Sequence, residues 1–138
     1  MPLIAVDVIR GHDETHLTTL LDGIHDAVVE ALAVPDTDRY QILTQHEPLE
    51  IRALDTGLGY TRSQNLTIIR VISKARPEAA KQRLYALIAQ NLHARLGIGG
   101  DDIIISIAEN TDADWSFGGG RAQFLTGDLP NTPDESTK

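Results

Sequence analysis

The chain has 138 residues, long enough for one domain with its own core and short for two. Apolar residues make up 41% and charged residues 23%, as in ordinary globular proteins, and the absence of cysteine excludes disulfides, thiolate metal sites and cysteine nucleophiles. A formal net charge of −8 argues against nucleic acid or an anionic membrane as partner; with no apolar run near the ~18 residues of a membrane span and no basic-then-apolar leader, a cytoplasmic location is expected.

Residues 3–9, LIAVDVI, are apolar and rich in β-branched side chains, which predicts a strand. RGHDET follows, with Asp13 suited to cap a helix and acidic residues in its first turn. Leu17, Leu20, Leu21, Ile24, Val28 and Leu32 then recur at spacings of three and four, the apolar face of a helix reaching about Ala33. VPDTD stops that helix, and RYQILTQ reads as a second strand. The pattern then repeats. LTIIRVIS is a strand, RPEAAKQ starts a helix with proline just inside it, and Leu84, Ile88, Leu92 and Leu96 form its apolar face. GIGGDD ends the helix, and IIISIAE is the fourth strand.

Leu20, Ile24, Val28, Leu32 and Val34 align with Leu84, Ile88, Leu92, Leu96 and Ile98 at a spacing of about 64 residues. The chain is therefore read as a tandem β-α-β repeat, with halves at about 2–46 and 65–109 inside a single domain at 1–129. Helical crossovers of this length imply a parallel, right-handed connection within each half. The expected fold is α/β: a four-stranded mixed sheet with two helices on one face. The opposite face is too apolar to meet water, so an oligomer is expected to cover it. The polar, proline-containing residues 130–138 are expected to be disordered. Gly57 and Gly59 mark a tight turn between the halves, and Gly118 to Gly120 interrupt the aromatic segment DADWSFGGGRAQFLTGDL. Both glycine groups read as hairpin material, because neither has the spacing of a phosphate loop.

Candidate chemistry starts at Pro2. Methionine before a small residue is normally removed, which leaves proline as a free secondary amine titrating near neutral pH. Such an amine serves as base, acid or imine-forming nucleophile; the plain alternative is an incidental strand starter. Lys74 and Arg76 stand two residues apart at a strand–helix junction, where both could grip one carboxylate, arginine as a fork and lysine as a point charge. Otherwise they are solvated surface cations. Asp38 precedes the second strand, where acidic residues usually cap or turn. Trp115, Phe117 and Phe124 are ordinarily core, but here they lie among glycines and polar residues. Among five histidines only His12 and His16 share a helical spacing, and with no third ligand in frame no metal site is expected.

Pro2 ahead of a strand, in a duplicated β-α-β chain of this size, resembles the tautomerase superfamily. Within it, VPDTDRYQ, DTGLGYTRS, VISKARPE and ENTDADWSFGGGRAQFLTGDL are most similar to the malonate semialdehyde decarboxylase family. The resemblance implies trimers, an amino-terminal catalytic proline at Pro2, and an assisting aspartate at Asp38. It also places an anion-binding arginine at Arg76 and an apolar pocket wall of Trp115, Phe117, Phe124 and Leu129. Lys74 departs from the family, which has arginine there and proline in place of Ala75. The implied reaction is decarboxylation of a small anionic 3-oxo acid without a cofactor. Keto–enol tautomerisation or hydration of an unsaturated acid in the same pocket is the alternative, and a non-catalytic interaction trimer is the third reading.

Overall fold

The structure is a computed structural model that describes residues 2–130. Most of the tail expected to be disordered lies outside the described residues. Strand β1 (Leu3–Ile9) leads into helix α1 (Glu14–Leu32) and strand β2 (Gln41–His46); strand β3 (Thr67–Lys74), helix α2 (Glu78–Leu96) and strand β4 (Ile103–Asn110) repeat the unit. A short helix, α3 (Gln123–Thr126), follows. The sheet order is β2-β1-β3-β4, with β1 parallel to β2, β3 parallel to β4, and β1 antiparallel to β3. This is the mixed sheet expected from the repeat.

Strand periodicity decides what each face does. Ile4, Val6 and Val8 of β1 and Ile69 and Val71 of β3 point into the core, each no more than 3% exposed. They meet Leu20, Ile24, Val28 and Leu32 of α1 and Leu84, Ile88 and Leu92 of α2, so both long helices cover one face. Gly23, inside α1, lets the helices approach: a Cβ there would meet the Leu92 side chain at 3.2 Å, and its carbonyl accepts from the Asn91 amide at 3.0 Å.

The alternate residues share the other face. Leu3 stands opposite Ile72, Ala5 beside Ile42 and Asp7 opposite Ile68. Ile42 is 56% exposed and Ile72 40%, so this face does present apolar surface. One polar cluster interrupts it, in which Asp7 accepts from His46 at 2.7 Å and from Arg70 at 2.9 Å.

Asp13 caps α1 as expected, its carboxylate accepting the His16 N–H at 2.8 Å. Two local expectations change. Pro77 is the residue before the first helical turn rather than inside it, with an extended ψ of 149°. The glycine groups are not hairpin turns, since neither joins two strands that pair as neighbours. Gly57 and Gly59 instead wrap the Asp55 carboxylate, which accepts both their N–H groups at 3.2 and 2.7 Å.

Candidate active site

Strand direction collects the chemistry at one end of the sheet. Parallel β1 and β2 both begin there; β3, antiparallel to β1, ends there, and so does β4. Helix α1 returns its C-terminus to this end, and α2 starts from it. Leu3 pairs with Ile72 and Ile4 with Gln41, so buried Pro2 lies one residue further out, beside Ser73 and the segment before β2. The Ile4 N–H donates to the Tyr40 carbonyl at 2.9 Å, tying that segment to the first residues of β1.

Asp38 is only 7% exposed. Its loop is shaped by a turn in which its own N–H donates to the Pro35 carbonyl at 3.0 Å. Buried His25 holds the same loop from α1, its Nε2 lying 2.8 Å from the Asp36 carbonyl. Burial pushes the Asp38 carboxyl above the ordinary aspartate value, while the positive charges of the amino terminus, Arg76 and His25 pull it back down. Arg76 and His25 are the described residues whose charge acts on it.

Arg76 and Lys74 are both 8% exposed, which rules out the solvated-cation reading. They reach different partners. Arg76 Nη1 donates to the Leu32 carbonyl at 3.0 Å, at the negative C-terminal end of α1. Its backbone N–H donates to Glu109 at 3.1 Å. The Lys74 ammonium pairs with Asp112 and stands 4.7 Å from the centre of the Phe124 ring. Neither cation is interchangeable with the other in this setting.

The C-terminal segment supplies a wall. Trp115 stacks on Phe117 with ring centres 5.2 Å apart, and Phe117 meets Phe124 edge-on at 5.5 Å. The Trp115 indole N–H donates to Asn110, the residue paired with Lys74, at 2.9 Å. Gln123 clips the loop in place, accepting the Phe117 N–H at 2.9 Å and donating to the Gly118 carbonyl at 2.7 Å. Asp38, Tyr40, Phe117, Gln123 and Leu129 line a common cleft of 440 Å³.

Comparison with known proteins agrees with this architecture. Two family models described as tautomerase enzymes match residues 2–58 and 38–118. The chain belongs to the tautomerase superfamily. Probable tautomerase YrdN of Bacillus subtilis (strain 168) is 51% identical over 94% of this chain and 100% of its own length. The solved structures of wild-type, mutant and inactivated malonate semialdehyde decarboxylase, related to its decarboxylase and hydratase activities, include a chain 47% identical with a TM-score of 0.90. That match covers 93% of this chain and 99% of the other. A fused 4-OT, solved as an asymmetric trimer, is 26% identical with a TM-score of 0.72, over 90% and 98% of the two chains.

The fold thus brings Asp38, Phe117 and Leu129 to one cleft, Phe124 to Lys74, and Pro2 to the same sheet end. Sequence reading missed Asp112, Tyr40, Gln123 and His25. Asp112 stood inside the quoted aromatic segment, but nothing local marks an acid that reaches back to β3. Tyr40, which packs its ring 5.6 Å from Phe117, was read only as part of a strand. Among the described residues no group of three or more His, Asp or Glu is placed to hold a metal.

Proposed function

We propose that this protein decarboxylates malonate semialdehyde, or a related small 3-oxo acid, through the amine of Pro2 once Met1 is removed. The observation that carries the reading is the shared corner: buried Pro2 at the head of β1, buried Asp38 under the charge of Arg76, and two buried cations at the end of β3 and in the turn after it. Arg76 and Lys74 supply positive charge for the substrate carboxylate. Loss of CO2 breaks the C1–C2 bond and leaves its electron pair as an enolate. A cationic Pro2 stabilises that charge by donating a hydrogen bond to the carbonyl oxygen; alternatively, Pro2 forms an imine that takes up the electrons. Protonation at carbon then yields the aldehyde. Ionised Asp38 favours the cationic amine. The aromatic wall limits water around the carboxylate, which favours its departure.

Decarboxylation cannot depend on gripping the carboxylate ever more tightly, because that charge disappears in the step. Asp112, already paired with Lys74, moderates the grip. The same corner also suits keto–enol tautomerisation or hydration of unsaturated acids, with Pro2 neutral when it acts as base. The relation to a probable tautomerase favours that second reading. A homotrimer is proposed from the apolar outer face of the sheet, with Ile42 and Ile72 exposed, and from the trimeric relative.

Intact mass establishes whether Pro2 is the first residue. CO2 release from malonate semialdehyde by wild type, and its loss in Pro2→Ala and Arg76→Ala, is the expected result. Turnover of a keto–enol substrate without CO2 release overturns decarboxylation as the primary reaction. A rate that rises as Pro2 deprotonates argues for the amine as base.

A further inference from the structure

The opposite end of the sheet is the repeat counterpart of the Pro2 corner. There β1 ends, β3 and β4 begin, α1 starts and α2 finishes. A cavity of 250 Å³ occupies it, bounded by Arg10, His12, His16, Gln64, Asn65 and Leu96. Leu96 is the repeat equivalent of Leu32, and the turn after β1 corresponds to the Lys74–Pro77 turn after β3. Both turns carry two basic residues, Arg10 and His12 here.

The chemistry differs in two respects. The chain runs unbroken through Asn65 into β3, so no terminal amine can form at this end. Asp102, the repeat equivalent of Asp38, accepts from the Ser63 N–H and hydroxyl, both at 2.6 Å. What remains around the cavity is a guanidinium, two imidazoles and two carboxamides.

No carboxylate lines the cavity among the described residues. Glu47 pairs with Arg10 Nε at 2.9 Å, and Asp13 is turned onto the first turn of α1, where it accepts the His16 N–H. The His12 and His16 rings stack with centres 4.0 Å apart and planes 9° apart. Two imidazolium rings at that separation repel each other, and burial followed by His12 holds His16 below its ordinary value against the opposing pull of Asp13. An oxyanion accepting an N–H from each ring removes the repulsion. A metal is less suited, because no third His, Asp or Glu is placed to complete the pair.

We propose that this cavity binds a small oxyanion, a carboxylate or a phosphate, through Arg10, His12 and His16, separately from the chemistry at Pro2. Binding favours the protonated imidazoles, so by linkage affinity rises as pH falls through their titration.

The test follows the ring C–H signals of all five histidines by NMR across pH, in chloride, in inorganic phosphate and in malonate at equal ionic strength. His12 and His16 are expected to titrate about one pH unit higher with the bound anion, while His25, His46 and His93 stay in place. A response to phosphate alone or malonate alone supports the proposal and assigns the ligand chemistry. Arg10→Gln, at a half-exposed position, is expected to keep the fold and weaken the shift. Equal shifts in Pro2→Ala protein separate this site from the catalytic reading. Absence of any shift, an equal shift at all five histidines, or an undiminished shift in Arg10→Gln overturns the proposal.

Discussion

The two ends of the sheet are built from the same repeated unit, yet they are chemically unlike. Each end carries a buried aspartate ahead of a strand: Asp38 at 7% exposure and Asp102 at 6%. Ser63 satisfies Asp102 with two short hydrogen bonds, and that carboxylate holds the loop before β3 in place. Asp38 instead is acted on by the charges of Arg76 and His25, and burial still pushes its carboxyl up. Duplication supplies two comparable corners, but a chain has one amino terminus. On the proposed function, that asymmetry gives one corner an amine for chemistry, while the other settles into structural hydrogen bonding.

The widest contrast lies in turnover. Pro2→Ala is expected to lower kcat/KM by about 10²–10⁴-fold, the usual range for a lost acid–base group. His12→Asn at the opposite end is expected to leave it unchanged, and equal losses in the two variants break the comparison. Stability should show the halves as equals. Leu20 and Leu84 are repeat partners at 0% exposure, so each alanine substitution should cost about 2–5 kcal/mol in urea unfolding. A large cost for one and little for the other means that the halves do not share a core.

The aspartates separate stability from activity. Asp102→Asn should cost about 1–3 kcal/mol by weakening buried hydrogen bonds, with turnover preserved. Asp38→Asn should lower turnover without lowering stability at neutral pH. The sign follows from the raised folded-state value of Asp38: the folded state holds its proton more tightly than the unfolded chain. Its contribution therefore favours folding at acidic pH and is lost as pH rises through the folded value. A stability difference between wild type and Asp38→Asn that narrows on acidification sharpens the contrast. The smallest effect concerns Lys74. Asp112→Asn releases the ammonium toward a substrate carboxylate and should lower KM by about threefold to tenfold, with Lys74→Arg acting in the same direction through its fork. Steady-state kinetics on the two variants and their combination checks this, and an unchanged KM in both counts against Lys74 as an anion contact.

Much of this was legible in the chain. Apolar spacings of three and four in α1 and α2, alternation in β1 and β3, and the 64-residue repeat follow from helix and strand geometry, which local sequence carries directly. So do the Asp13 cap and the helix stops. The candidate site was legible only through long matching segments, because Pro2, Asp38 and Arg76 taken one at a time have ordinary explanations. The partners of those residues were not legible. Lys74 meets Asp112 across 38 positions, Arg76 meets the Leu32 carbonyl across 44, and Gln123 clips the loop carrying Phe117. No short-range pattern encodes the first two of these contacts. The parallel pairing of β3 with β4 decided the first, and the antiparallel placement of β3 against β1 decided the second, by bringing the end of α1 and the turn after β3 to the same end of the sheet.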